Sequence, residues 1–313
     1  MATVTDAVAT GRFVSVELLP PRSPAGEETL RAALDDLAPL APAFVAVTYG
    51  ANGSDRGRTA SLVKQLAGTA ATAVPHLTCA AHRRMELSRL LTRYRVMGID
   101  NVLALHGDPP LAADTALPEG ELRYALDLVR LARERGIACV GVAVHPEGHP
   151  AAQSRDADLA HQANKLRHAD FAITQFVNRA DDYFRFVDEM LKRGAEAPVI
   201  PGIRPISNLR QAQRMAAMSG AAIPAALADQ LTAAADDSNQ AFRIGVDYAV
   251  TVCARLLEGG APGLHFFTMN RATSTLHVCE QLGWTTATIN GVGVEGTTKA
   301  GRSRIVSMPA RAR

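Results

Sequence analysis

The sequence of 313 residues has almost no net charge and no long apolar run. Lysine and arginine together number 33 and aspartate and glutamate 31, an excess too small to indicate a nucleic-acid or membrane-surface partner. No hydrophobic run approaches the length of a membrane span, and the first residues lack the basic and then apolar pattern of a signal peptide. We therefore expect a cytoplasmic protein whose partners are small molecules, with no nucleic acid and no membrane among them.

Cysteines are few, and no group of residues has the spacing of a metal site. Four cysteines lie far apart, at positions 79, 139, 253 and 279, which is typical of buried or free thiols in a reducing compartment. His145 and His149 are four residues apart, as two ligands on one helix face would be. Pro146 and Gly148 oppose a helix there and no third ligand is near, so we predict no metal site.

The sequence also lacks a Walker loop, a GxGxxG turn and a nucleophile elbow. What it has is an alternation of short apolar runs with longer segments of helical period. The predicted strands span 13–19, 44–49, 73–78, 102–106, 138–144, 171–177, 199–203 and 264–269. The predicted helices span 27–37, 58–66, 84–96, 120–133, 156–167, 180–192, 209–218, 237–257 and 272–282.

Eight successive strand–helix units, with strands apolar throughout, predict a parallel sheet covered by helices on both sides. Eight units over about 280 residues favour an α/β fold of the (β/α)8 TIM barrel type, with extra helices between strands 7 and 8. An open doubly wound sheet is the alternative, but it would normally carry a glycine-rich first turn, and the residues after Glu17 are Leu-Leu-Pro-Pro. We expect one barrel domain over residues 1–284 and a flexible, basic tail over residues 285–313.

Polar residues end nearly every predicted strand, where a barrel gathers its chemistry. Glu17 is a charge inside an apolar strand, either a buried acid paired with a base or a desolvated carboxyl able to donate a proton near neutral pH. Asp108 follows a strand and precedes two prolines, either as a turn acid or as a fixed negative charge beside an electron-poor ligand. Lys165, in a predicted helix, is interpreted as a solvated or phosphate-facing base. The other strand ends carry Thr48, Tyr49, His76, Thr78, His145, His149, Gln175, Arg204, Asn270 and Arg271.

Eight short motifs occur in order around the predicted barrel. They are VELLPPR at 16–22, VTYGA at 47–51, PHLTC at 75–79, ALHGD at 104–108, PEGHP at 146–150, AITQF at 172–176, IPGI at 200–203 and MNRA at 269–272. Together they resemble the methylenetetrahydrofolate reductase family over residues 13–284. The resemblance implies a (β/α)8 barrel with bound FAD that reduces 5,10-methylenetetrahydrofolate to 5-methyltetrahydrofolate with NADH or NADPH. It also implies ping-pong kinetics, a supply of one-carbon units to methionine synthesis, and a homo-oligomer.

The resemblance implies roles for individual residues. Glu17 matches the acid that protonates the departing N10 of the folate, and Asp108 matches an aspartate whose charge lies between flavin and pterin. Gln175 matches a pterin-binding glutamine, and Arg271 matches a base that meets the folate's negatively charged end. Thr48 matches a nicotinamide contact. The flavin-binding positions are matched by Tyr49, Ala51, His76, His106, Gly107, Asp108, Tyr124, His145, His149, Asp158 and Lys165.

Four positions depart from the family's pattern. His106 and Asn164 replace arginines and His145 replaces a tyrosine, while Leu231 replaces an aromatic substrate-binding residue. Two alternatives therefore stay open: the same folate reduction by direct hydride transfer with weak or absent flavin, and a folate-binding or regulatory paralogue without activity. A protonated His106 could still contact a phosphate, which predicts FAD binding that weakens as pH rises.

Overall fold

The computed structural model describes residues 2–49, 56–67, 72–107 and 120–284. Eight parallel strands form a closed barrel in chain order, which confirms the predicted TIM barrel. The strands are β1 (Val14–Leu18), β2 (Phe44–Val47), β3 (Thr72–Thr78), β4 (Asn101–Leu105), β5 (Cys139–Val144), β6 (Phe171–Phe176), β7 (Val199–Ile203) and β8 (Leu264–Phe267). Three of the sequence predictions lie outside the described residues: Ala51, Asp108 and the tail 285–313.

Eleven α-helices lie among the described residues, and three of them connect β7 to β8, as predicted. They are α1 (Val4–Thr10), α2 (Pro24–Leu37), α3 (Arg56–Ala67), α4 (Arg84–Val96), α5 (Ala125–Glu134), α6 (Arg155–Leu166), α7 (Ala180–Lys192), α8 (Leu209–Ser219), α9 (Ala225–Ala233), α10 (Ser238–Glu258) and α11 (Thr273–Gln281). No helix in this described part of the chain is long and apolar enough to cross a membrane.

Alternation of side chains along the strands creates two apolar cores. One fills the inside of the barrel and includes Phe44, Val74, Leu103, Phe171 and Ile200; the other lies between the strands and the helices and includes Val16, Val45, Val102, Val142 and Phe266. A Cβ on Gly141 of β5 would overlap the ring of Phe171, so the glycine leaves room for that ring inside the barrel. All four cysteines are buried free thiols, as predicted.

Helix α1 closes the N-terminal end of the barrel and was missed from the sequence. Val4 is fully buried and packs into the interior core. The Asn101 side chain, at the start of β4, accepts a hydrogen bond from the Val4 amide at 2.9 Å and donates one to the Ala2 carbonyl at 3.2 Å. The signal was present: Thr3 and Asp6 form a capping box. Because α1 covers this end, we expect a ligand to enter from the C-terminal ends of the strands.

The helix predicted over 120–133 begins at Ala125, so its predicted start was wrong. A Cβ on Gly120 would lie 2.7 Å from the Cys79 carbonyl oxygen, which means that this glycine serves a close backbone approach. The amide of Glu121 donates to the His82 carbonyl at 3.0 Å. The helix starts where the Asp127 carboxylate accepts the amide of Tyr124 at 2.9 Å, since an acid at this position satisfies the first free amides.

Candidate active site

Glu17 lies near the C-terminal end of β1 between two histidines from other strands. Its carboxylate Oε2 is 3.6 Å from Nε2 of His76 on β3 and 3.8 Å from Nε2 of His265 on β8. The side chain of Glu17 is 12% exposed, whereas His265 is fully buried. On β2, the residue paired with Glu17 is Ala46. Its small side chain leaves space inside the barrel between the side chains of β1 and β3. The carboxyl group is therefore sheltered but open toward the barrel mouth.

The two histidine nitrogens that face Glu17 have no hydrogen-bond partner. Nε2 of His76 and Nε2 of His265 are buried and unpartnered, and both are beyond ordinary hydrogen-bond distance from the carboxylate. A buried polar atom without a partner is costly, and such atoms often mark a place where a ligand or an ordered water completes the structure. The arrangement indicates a site whose polar groups are set for an incoming molecule.

Burial controls the charge of His76. Loss of hydration lowers its pKa below the usual range, and nearby His265 lowers it further, while the negative charge of Glu17 opposes the shift. The imidazole of His76 therefore stays neutral at neutral pH. The carboxyl of Glu17 is consequently not paired with a cationic His76.

His265 and Ser15 belong to the site but were not predicted. The Ser15 hydroxyl lies 2.9 Å from Nδ1 of His265, and the ring of Phe44 stacks on the imidazole with centroids 5.8 Å apart. These contacts fix the ring so that Nε2 points to Glu17. The available signal was a histidine in the apolar strand β8, a pattern that by itself looks like an ordinary core position.

The segment after β8 is held to β1 in an unusual backbone conformation. Met269 and Asn270 have φ values of 52° and 57°, a region that costs free energy for residues other than glycine. The Asn270 side chain accepts from the Leu19 amide at 2.8 Å and donates to the Leu19 carbonyl at 2.9 Å. This pair of bonds holds the turn and places Arg271, which is exposed, at the barrel mouth.

Four predicted cofactor residues come together at the end of β5 and on α6. Asp158 is buried, and its carboxylate accepts the His149 amide at 3.2 Å. Rings of His145 and His149 meet edge to face with centroids 4.8 Å apart. Burial, aided by the electrostatic effect of neighbouring His149 and Lys165, lowers the pKa of His145 to about 3. Burial also lowers the pKa of Lys165 to about 8, against the opposing charge of Asp158.

Gln162 organises this group and was not predicted from the sequence. Its amide oxygen accepts the backbone amide of His145 at 2.6 Å, and its amide nitrogen donates to the His145 carbonyl at 3.1 Å. The same nitrogen also donates to Asp158 at 2.7 Å. Gln162 thus ties the end of β5 to α6, which fixes the orientation of the carboxylate of Asp158.

Gly107 and His106 follow β4 at the same rim. Gly107 has a φ of 95°, and a Cβ there would lie 2.9 Å from Cβ of Thr78, so only glycine fits the backbone at this point. His106 is exposed, and its Nδ1 lies 2.8 Å from the Gly107 carbonyl oxygen. The imidazole can therefore turn toward a ligand without leaving a buried group unsatisfied.

The remaining predicted residues lie in different surroundings. Gln175, on β6, lines a cleft with His145 and Glu147, and Thr48 directly follows β2. Tyr124 is 53% exposed at the start of α5. Tyr49 is buried with its hydroxyl 3.1 Å from Nε2 of His82. Leu231 is 3% exposed in a core between α8, α9 and α10 that also includes Ile206, Leu227 and Ala241.

Comparison with known proteins gives a consistent result. Residues 3–283 match the family model described as methylenetetrahydrofolate reductase. The chain is 39% identical over 272 residues to 5,10-methylenetetrahydrofolate reductase of Escherichia coli (strain K12), covering 86% of this chain and 90% of that protein. It is 32% identical over 283 residues to methylenetetrahydrofolate reductase (NADH) 1 of Arabidopsis thaliana, covering 86% of this chain and 48% of that protein. Among solved structures, an uncharacterized protein from Clostridium thermocellum that binds two copies of 5-methyl-5,6,7,8-tetrahydrofolic acid has a similar fold, with a TM-score of 0.63 at 12% identity over 90% of this chain and 99% of that one.

Proposed function

This chain belongs to the methylenetetrahydrofolate reductase family, and on that basis we propose that it reduces 5,10-methylenetetrahydrofolate to 5-methyltetrahydrofolate with a reduced nicotinamide as electron donor and FAD as cofactor. The observation that carries the proposal is the carboxyl of Glu17 at the barrel mouth, 12% exposed and faced by two unpartnered histidine nitrogens. The 5-methyltetrahydrofolate formed in this reaction would supply one-carbon units to methionine synthesis.

The proposed chemistry needs a proton at one defined atom. The methylene bridge of the folate opens to a 5-iminium cation before it accepts hydride, and the departing N10 must be protonated as the C–N bond breaks. Glu17 donates that proton, because its carboxyl is the sheltered acid at the mouth and no arginine or lysine in the described residues pairs with it. Gln175 binds the pterin, and Asp108, outside the described residues, supplies a fixed negative charge near the cation.

The residues at the rim fit a flavin dinucleotide. His106 is exposed at this rim, Nε2 of His76 is a buried donor or acceptor without a partner, and Lys165 makes no hydrogen bond to any described residue. FAD, when bound, would take up a hydride from the nicotinamide and deliver it to the folate, so that the two substrates use the pocket in turn. His76, Asp158 and Lys165 would hold and orient it.

An absorbance spectrum of the purified protein, followed by an assay with NADH or NADPH and folate, tests this proposal. We expect flavin bands near one FAD per chain and nicotinamide oxidation that depends on the folate substrate. Full activity of a flavin-free protein would show that hydride passes directly from the nicotinamide to the folate, and would contradict the proposed role of FAD. Folate binding without any oxidation of nicotinamide would leave a non-enzymatic paralogue and overturn the proposal.

Lys165 predicts how FAD affinity depends on pH. Its pKa in the free protein is lowered to about 8, and a diphosphate beside the ammonium would raise that pKa, so binding above this pH must take up a proton. The contribution of Lys165 to FAD affinity should therefore be constant below about pH 7 and fall as the pH rises through 8. Flavin fluorescence titrations from pH 6 to 10 measure it.

The matched variant for this prediction is Lys165→Arg, which stays charged over the whole range. Its FAD affinity should not fall between pH 7 and pH 9. An equal fall in the wild type and in Lys165→Arg would show that another group titrates. His106→Arg then separates the contribution of the exposed imidazole, because that variant keeps a permanent charge beside Gly107.

A further inference from the structure

Arg204 directly follows β7 at the barrel mouth and is half-buried in an apolar pocket. Its guanidinium carbon lies 5.8 Å from the centroid of the Phe176 ring. Apolar side chains from the β7–α8 segment, from α8 and from the α8–α9 connection complete the pocket, among them Ile206, Met215 and Ile223. The guanidinium of Arg204 is thus surrounded mainly by apolar side chains of α8 and of the segments on either side of α8.

No acceptor among the described residues satisfies this guanidinium. In the part of the chain that the structure describes, Arg204 forms no hydrogen bond and no ion pair, and burial lowers its pKa with no carboxylate to oppose the shift. Arg133 and Arg193, which are also half-buried, pair with Asp170 and Asp156. A desolvated charge without a partner is unfavourable, so the pocket is set for an anion.

The polar groups nearest to this pocket are already engaged. Asn178 donates its side-chain amide to the Ala222 carbonyl at 2.8 Å. Glu147, in the neighbouring cleft, accepts the Ala222 amide at 3.1 Å and lies 3.9 Å from Arg179. Glu147 is thus committed to Ala222 and Arg179, and among the described residues no carboxylate pairs with Arg204.

The position of Arg204 relative to Glu17 indicates which part of a ligand it meets. The Phe176 ring beneath Arg204 contacts the Phe267 ring edge to face at 4.8 Å, and Phe267 in turn contacts His265 at 5.3 Å. His265 faces Glu17. Arg204 is therefore separated from the acid by three aromatic side chains. In a folate, N10 carries the p-aminobenzoyl group, whose far end bears the glutamyl carboxylates.

We propose that Arg204, in addition to Arg271, binds a carboxylate of the folate's glutamyl tail and thereby determines specificity for the tail, at a distance from the reacting ring. This assignment rests on the proposed function. A guanidinium fork matches a carboxylate in two parallel hydrogen bonds, and the Phe176 ring lies 5.8 Å from the guanidinium carbon. Because the tail does not change during the reaction, the contact contributes equally to substrate and transition state.

The test compares Arg204→Met, which keeps the apolar stem, with Arg204→Lys, which keeps the charge. For Arg204→Met we expect the KM for 5,10-methylenetetrahydrofolate to rise about 10- to 100-fold with kcat changed less than about twofold, since uniform binding is lost. The KM values for NADH and NADPH should not change. Arg204→Lys should recover part of the affinity, and Arg210→Met, an exposed arginine on α8, should have no effect.

Direct binding of 5-methyltetrahydrofolate, measured by calorimetry, gives a second readout that does not depend on catalysis. The Kd should rise by the same factor in Arg204→Met. The Kd of this variant should also depend less on salt concentration than the Kd of the wild type. An unchanged folate Kd would mean that Arg204 only stacks on Phe176 in water, and a rise confined to the KM for NADPH would assign the anion to a phosphate; either result overturns the proposal. If the wild type binds 5-methyltetrahydrofolate but does not reduce 5,10-methylenetetrahydrofolate, the proposed function fails. The Kd values still test whether Arg204 binds the folate tail.

Discussion

Replacing Glu17 with glutamine should stop folate reduction while nicotinamide oxidation by the FAD-loaded protein continues. Glutamine has nearly the same size but cannot donate a proton to N10, and loss of a general acid reduces a rate by about 10²- to 10⁴-fold. The nicotinamide half-reaction transfers hydride without protonating N10, so its rate should change less than about threefold. Stopped-flow absorbance of the flavin measures the two half-reactions separately.

The structure supports this separation of effects. Glu17 forms no hydrogen bond with His76 or His265, at 3.6 Å and 3.8 Å from their nitrogens, so an amide at this position disturbs no ion pair that holds the barrel together. Glu28→Gln, on the exposed face of α2, is the matched control and should leave both half-reactions intact. Equal losses in both half-reactions of Glu17→Gln would show that the residue has a structural role.

Substitution of Gly245 by alanine should destabilise the protein strongly, although alanine favours helices by about 1 kcal/mol over glycine. Gly245 is buried in the middle of α10, where a Cβ would overlap the Ile206 carbonyl oxygen and lie 2.6 Å from its carbonyl carbon. Backbone atoms cannot rotate away as a side chain can, so α10 would have to move from the β7–α8 segment. We expect a loss of about 3 kcal/mol or more and a Tm lower by roughly 6–12 °C.

Urea unfolding followed by circular dichroism measures this effect, with Gly57→Ala as the control. Gly57 is also helical, on α3, but a Cβ there meets nothing within 4 Å, so the same substitution should be neutral or slightly stabilising. A neutral Gly245→Ala would contradict the close packing of α10 on Ile206. Because Arg204 lies two residues before Ile206, the displaced segment should also weaken folate binding.

The sequence predicted the barrel well because its signals are local. A strand buried on both faces, by the barrel interior on one side and by helices on the other, needs a continuous apolar run, and each of the eight predicted runs overlaps a strand of the barrel. Errors occurred where tertiary contacts decide the structure. Gly120 is excluded from a helix by its contact with the Cys79 carbonyl, and α1 is a helix of seven residues that is stable only against Asn101 and the barrel interior.

The candidate site could be predicted only in part for a similar reason. Glu17 is evident because a charge within an apolar strand requires an explanation. His265 is not, because a histidine in a buried strand is most simply a core residue, and its meaning depends on Ser15, some 250 residues earlier. Arg204 is evident as a polar residue at a strand end, but its lack of a partner is a property of the folded molecule.

The bonds between β1 and the segment after β8 also determine when the site comes into existence during folding. Thr268 donates to the Glu17 carbonyl at 2.7 Å and Asn270 holds Leu19, in both cases across 251 residues of chain. Contacts of such high sequence separation are entropically expensive to close and tend to form late. Glu17 and His265 therefore meet only when the first and last strands pair. In a nascent chain or a folding intermediate with an open seam, the proposed acid Glu17 would lie in solvent, so we expect folate reduction to report completed closure of the barrel.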